Sequence, residues 1–463
     1  MGNRMGFNRE CFEDAPKIVV PPPGPKSRAV VKDDEELIMQ SFSRWYPLVV
    51  KSGCGSIVMD LDGNLYIDFN SGIGVMNVGH NHPKVVEAIK GQADKLLHYS
   101  ITDFLYEEAV EHAKEFLEIV PIEGMKKVFY CNSGTEGIEG ALKVVKGYFK
   151  NSRQYVMTFI GSFHGRTLGS LSLSGSKPIH KKYFQPLLPG VVNVPYPDPY
   201  RCPLNVDGDE CGDAVISYIE DYIFRRLVDG EDVAGIFIEP ILGEGGYVVP
   251  PDNFLPKLRK LCSDYGILLV FDEVQSGMGR TGKWFAAEHW GVKPDVLVSS
   301  KALASGLPLG AVVGRAEVMS LPKGTHASTF GGNPVALAAS RAVIRAIIDE
   351  GLLYNALSVG ESIMKRALEW VDMYEIVGHV RGKGLMIGIE LVRDKRTKKY
   401  ADKELSKVLL ESFKRGLAII GAGYSVIRIA PPLTISEELA HRGLDILEDV
   451  IRVVDNESRK FKN

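Results

Sequence analysis

Between about residues 100 and 320 the chain repeats one pattern: a short β-branched or aromatic run, a glycine-containing turn, then apolar residues at helical spacing. Lys127–Cys131, Tyr155–Ile160, Val233–Ile238, Ile267–Phe271 and Asp295–Ser299 are the expected strands. Strands separated by helices are joined by crossovers, which makes the sheet mainly parallel. Their nearly continuous apolar character requires cover on both faces. This is an α/β fold, and sheets of this kind bind ligands beyond the carboxyl ends of their strands.

A length of 463 residues exceeds what one core usually organises, so a second domain is expected. An amphipathic helix beyond residue 340, strands at Gly384–Val392 and Val426–Ile429, and a helix from Ser436 predict a smaller α+β domain. Near the other terminus, Ile57–Asp60 and Tyr66–Phe69 flank Asp62-Gly63-Asn64 as a hairpin. The Pro- and Gly-rich residues up to about Lys32, including Pro21-Pro22-Pro23, read as an extended arm. The expected division is 1–70 as arm and part of the small domain, 71–338 as the large domain, and 339–463 as the rest of the small domain.

A net charge of -3 and a pI near 6.4 offer no basic surface for nucleic acid or anionic lipid. Apolar runs such as Ile267–Phe271 are too short to cross a bilayer, and Met1–Phe7 holds no apolar leader, so no membrane or secretory role is expected. The six cysteines (Cys11, Cys54, Cys131, Cys202, Cys211, Cys262) show no CxxC or metal-ligand spacing. We therefore expect no disulfide framework, no metal site and a reducing cytoplasmic setting.

The polar residues that follow the strands form a coherent set. Asn132-Ser133-Gly134-Thr135-Glu136 opens a helix, where free amides and the helix dipole favour a phosphate; the same residues also make a capping box. Phe163-His164-Gly165-Arg166 brings an aromatic for stacking and a guanidinium for a carboxylate, although an arginine in such a turn also serves a surface role. Glu239 and Glu244 place two carboxylates at one lip of the sheet, fit either for proton transfer or for anchoring a cation. Asp272 ends a buried strand, where a carboxylate is costly unless it meets a cation such as a protonated pyridine. Lys301 ends the next strand, and a partly desolvated lysine is the more readily deprotonated nucleophile.

Taken in order, Ser133-Gly-Thr135, Phe163-His-Gly-Arg166, Glu239-Pro-Ile-Leu-Gly-Glu244, Asp272-Glu-Val-Gln275, Lys301, Thr329-Phe-Gly-Gly-Asn-Pro334 and Ile427-Arg428-Ile-Ala-Pro-Pro-Leu433 resemble the class III aminotransferases of fold-type I over essentially the whole chain. The resemblance implies a large domain with a seven-stranded sheet and pyridoxal 5′-phosphate as cofactor. It implies Lys301 as Schiff base and proton shuttle, and Asp272 as partner of the pyridine nitrogen. Gln275 is implied at the phenolic oxygen, Phe163 or His164 against the ring, and Gly134 with Thr135 at the phosphate. Ser133 and Glu239 belong to the same cofactor set. Thr329 is implied to reach the phosphate of a neighbouring subunit, so a homodimer is the smallest expected assembly.

For substrate, the resemblance implies Arg428 at the α-carboxylate of 2-oxoglutarate, Arg166 at its second carboxylate, and Glu244 as a gate that screens Arg428. Ile73 stands where ornithine aminotransferases carry tyrosine, as in the 4-aminobutyrate branch. Thr102 and Asp103 could receive the α-ammonium of ornithine or cap the following helix. The expected activity is transfer of the terminal amine of ornithine to 2-oxoglutarate. 4-Aminobutyrate transamination and amino-acid racemisation are the alternatives.

Overall fold

The computed structural model describes residue 12 and residues 14–460. These divide into two compact units, Lys84–Ala346 and the segments running up to Pro83 and on from Ile347.

In the unit Lys84–Ala346, seven strands form one sheet: β1 (Lys126–Cys131), β2 (Tyr155–Ile160), β3 (Val191–Pro195), β4 (Val233–Ile238), β5 (Leu268–Asp272), β6 (Val296–Ser299) and β7 (Gly310–Arg315). Their spatial order is β1-β7-β6-β5-β4-β2-β3. β7 runs antiparallel to both neighbours, and the other pairs are parallel. The five strands read from sequence are present within one residue at each end; β3 and β7 are additional.

Alternation along the strands feeds two cores. Val270 packs toward the helix α1 (Gly134–Tyr148), whereas Leu269 and Phe271 pack toward α2 (Phe254–Asp264) with Leu255, Leu258 and Leu261. Each such fully buried side chain contributes about 1.5–3 kcal/mol. The start of α1 approaches the sheet so closely that a Cβ on Gly137 would meet Val298 Cγ1 at 2.6 Å, so glycine there sets the height of the helix.

In the other unit, Val50–Cys54, Ile57–Asp60, Leu65–Asp68 and Leu417–Ala418 make one sheet. Val377–Lys383, Met386–Asp394, Val426–Ile429 and Ile420–Ala422 make a second, accompanied by the helices Leu352–Met373, Asp402–Lys414 and Glu437–Lys460. The hairpin around Asp62 is present, with Val58 opposite Tyr66.

Two expectations fail. The arm is helical over Pro25–Leu37. Pro25 sits at the first helical position, where its missing N–H costs nothing, and both carboxylate oxygens of Asp62 accept the Lys26 and Ser27 amides at 2.9 Å. This cap comes from a hairpin tip distant in sequence, so the local composition does not reveal it. The cysteines are not all free: Cys202 and Cys211 are bonded with Cα atoms 5.8 Å apart, and Cys54 is also in a disulfide. The first bond ties an irregular turn to the opening of the helix Glu210–Ser217, a closure that no CxxC spacing announces. It also removes the cysteine argument for a reducing compartment. Among the described residues no helix is long and apolar enough to cross a membrane.

Candidate active site

A cavity of about 230 Å³ opens where β1, β2, β4, β5 and β6 end. Each of those strands releases its chain into a turn, and each turn contributes to the wall.

After β1, Ser133 spends its hydroxyl on the helix cap, accepting from Glu136 N at 3.3 Å, while Glu136 accepts from Asn132 N at 2.8 Å. The capping use of this motif is therefore real, and Ser133 is not part of the cavity wall. Gly134 and Thr135 are. The Thr135 hydroxyl contacts Ser170 Oγ at 2.6 Å and Thr167 Oγ1 at 2.8 Å, locking the turn after β2 against the start of α1. Gly165 in that turn has φ 132°, and a side chain there would run into Thr135.

That second turn holds Phe163, His164 and Arg166. Phe163 donates its amide to Glu239 Oε1 at 2.7 Å, and its ring lies under the Arg166 guanidinium at 5.3 Å. His164 is buried, with Nδ1 at 2.8 Å from Asp272 Oδ2. Of the two side chains expected against the ring, His164 is engaged with the acid through Nδ1.

After β4, Glu239 is buried and accepts Phe163 N and Gly243 N at 2.7 and 2.9 Å. Burial, then the neighbouring Asp272 charge, raises its pKa to about 7. Glu244 lines the cavity and pairs with Lys177 at 2.8 Å, a cation that the sequence did not single out. Lys177 follows Ser176, whose Oγ lies 3.0 Å from His180 Nδ1; the buried His180 ring meets Phe163 edge-on at 5.7 Å. Burial, then Arg166, depresses the His180 pKa.

At the end of β5, Asp272 Oδ1 accepts Val274 N at 3.0 Å. Glu273 points away and accepts Ala286 N and Ala287 N at 3.0 and 2.8 Å, so the second acid of this motif anchors a loop. Burial raises its pKa to about 7. Beyond β6, Lys301 has φ 38°, a left-handed conformation rare for a non-glycine residue and characteristic of functional positions. The Ser300 hydroxyl, donating to Leu309 O at 2.8 Å, holds this turn.

Other predicted residues lie elsewhere. Thr102 and Asp103 sit in an exposed turn outside the cavity, where Thr102 Oγ1 donates to Ser328 O at 3.4 Å. Thr329 is exposed on the neighbouring segment. Ile73 and Arg428 belong to the other unit. Ile73 is 48% exposed with φ 67°, and Arg428 is buried on Val426–Ile429 opposite Gly388 and Ile420.

The family model described as Aminotransferase class-III matches residues 39–451. The chain belongs to the class III aminotransferases. It is 42% identical to the alanine/serine racemase of Pyrococcus horikoshii, covering 94% of this chain and 93% of that one. It is 37% identical to the 4-aminobutyrate aminotransferase of Mycobacterium leprae, covering 95% and 98%. A pyridoxal-phosphate-bound amine transaminase from an uncultivated Pseudomonas species superimposes with TM-score 0.83 at 30% identity, over 88% of this chain and 95% of that one. The fold is fold-type I, and the cofactor of this family member is pyridoxal 5′-phosphate.

The cavity fits that cofactor. A helix start with glycine and threonine suits the phosphate, a buried carboxylate ending β5 suits a protonated ring nitrogen, and Lys301 offers the amine. Among the described residues, His164 Nε2 and Gln275 Oε1 are buried there without a hydrogen-bond partner. Unsatisfied polar atoms are costly in a finished core and expected at a wall completed by a bound group.

Proposed function

We propose that this enzyme takes and returns the α-proton of an amino acid, acting as a racemase or epimerase. The observation that carries the reading is the Lys177–Glu244 pair at 2.8 Å. In an ω-aminotransferase that alternates between two substrate registers Glu244 would serve as a switch on Arg428; here Lys177, from its own unit, competes for that carboxylate. The relative from Pyrococcus horikoshii, named a racemase, supports the same reading.

Pyridoxal phosphate, when bound, supplies an electron sink for the charge left at the carbon beside the amine. The chain provides the rest. Lys301 Nζ holds the cofactor and moves the α-proton. Asp272, oriented by His164 Nδ1 and Val274 N, keeps the ring nitrogen protonated. Gly134 and Thr135 receive the phosphate, Phe163 packs on the ring, and Gln275 reaches the phenolic oxygen. Arg166 binds a substrate carboxylate at the mouth. A homodimer sharing Thr329 is supported by an exposed apolar surface around it that includes Leu105 at 92% and Phe330 at 63%.

The second reading is amine transfer to 2-oxoglutarate from ornithine or 4-aminobutyrate. The relative named 4-aminobutyrate aminotransferase and the presence of both Arg166 and Glu244 in the wall favour it. The position of Thr102 and Asp103 outside the cavity weakens the case for ornithine. Single amino acids, supplied without a 2-oxo acid, separate the readings. Racemisation predicts decaying optical activity with unchanged cofactor absorbance. Stoichiometric release of a 2-oxo acid, with conversion of the cofactor to its amine form, would overturn it.

A further inference from the structure

We propose that Lys177 determines substrate specificity by setting the charge that the cavity presents to an amino-acid side chain. The inference rests on the cavity beside Lys301 being the substrate site, but not on where the α-proton is returned.

Glu244 is an acidic side chain of the wall with no assigned duty toward the cofactor, and it is a quarter exposed. A carboxylate there attracts a cationic side chain and repels an anionic one. Its partner Lys177 is 21% exposed and contacts Oε1 at 2.8 Å, across 67 residues of sequence. The segment carrying Lys177 is fixed: Gly175 N donates to Ser162 O at 2.8 Å, and Ser176 is bonded to the buried His180. The ammonium is therefore held in place, and partial burial keeps solvent from screening the pair as fully as it does at a surface.

Arg166, its guanidinium 5.3 Å from the Phe163 ring, supplies the positive charge suited to a substrate carboxylate. With Lys177 neutralising Glu244, the remainder of the wall favours uncharged side chains, as on leucine or alanine. Without Lys177 the wall loses one positive charge and shifts toward the cationic side chains of ornithine and lysine. Lys177 acts through Glu244 as a positioning residue, with no contact between its ammonium and the reacting atoms.

The test uses holoenzyme of the wild type, Lys177→Met, Lys177→Gln and Lys177→Arg. Leucine and ornithine are each titrated against the cofactor absorbance, which reads affinity whether the enzyme racemises or transaminates. The ratio of ornithine to leucine affinity should rise about tenfold in Lys177→Met and Lys177→Gln and return toward wild type in Lys177→Arg. An unchanged ratio, or an equal loss for both amino acids, would overturn the proposal by making Lys177 merely structural. Wild-type enzyme that binds neither amino acid would overturn the assignment of the cavity itself, and the proposal with it.

Discussion

The two ends of the central sheet each gather buried charge, and they do so to opposite effect. At the amino ends of β5 and β6, Asp295 accepts from Arg259 at 2.8 Å, Arg315 at 3.0 Å and Leu269 N at 2.7 Å, so every charge has an answer within the chain. Among the described residues, Arg315 Nε is left without a partner there. At the carboxyl ends two acids, Glu239 and Asp272, lie buried, the His164 imidazole meets Asp272, and among the described residues His164 Nε2 and Gln275 Oε1 remain unpaired. The amino end also has the larger groove, about 760 Å³ against about 230 Å³. Volume therefore does not distinguish the functional end. Incomplete polar pairing does, because a finished structural network leaves little for a ligand to satisfy.

Asp272→Asn cuts deepest into this contrast. The neutral amide no longer keeps the ring nitrogen protonated, and turnover should fall by on the order of 10²–10³ while the fold survives. A circular dichroism melt together with steady-state rates checks both halves. Asp295→Asn should do the reverse. Removing the carboxylate leaves Arg259 and Arg315 facing each other, which costs about 2 kcal/mol of stability by denaturant unfolding, whereas turnover per folded molecule stays at the wild-type value. A large loss of turnover with intact stability would erase the distinction between the two ends.

The smallest effect is a slope. Glu239 binds its proton more tightly when folded than unfolded, since burial and Asp272 raise its pKa from the ordinary carboxylate range to about 7. Its contribution is complete below the unfolded pKa and is lost as pH rises toward about 7. Stability of the cofactor-free protein should decline across that window, and Glu239→Gln should flatten the decline in melts at stepped pH.

The sequence announced Asp272 and Lys301 because each ends an apolar run too buried to tolerate an idle charge. The same grammar located five of the seven strands. It passed over β3, which ends at Pro195, and β7, which starts at Gly310 and runs against the parallel pattern. Lys177 was invisible for a different reason: its partner is 67 residues away, and nothing around Lys177 in sequence implies Glu244. The helix Pro25–Leu37 and the Cys202–Cys211 bond were hidden likewise, the first depending on a distant carboxylate and the second on the closure of an irregular loop. The left-handed backbone at Lys301 has no signature in composition at all.

Lys301 as the residue that holds the cofactor is the premise on which the proposed chemistry depends. Borohydride reduction of the holoenzyme, proteolysis and mass spectrometry of the peptides test this directly. The phosphopyridoxyl group should be found on the peptide containing Lys301 and on no other lysine. Its recovery on Lys177 or elsewhere, or an unlabelled Lys301 in fully reduced enzyme, would contradict it.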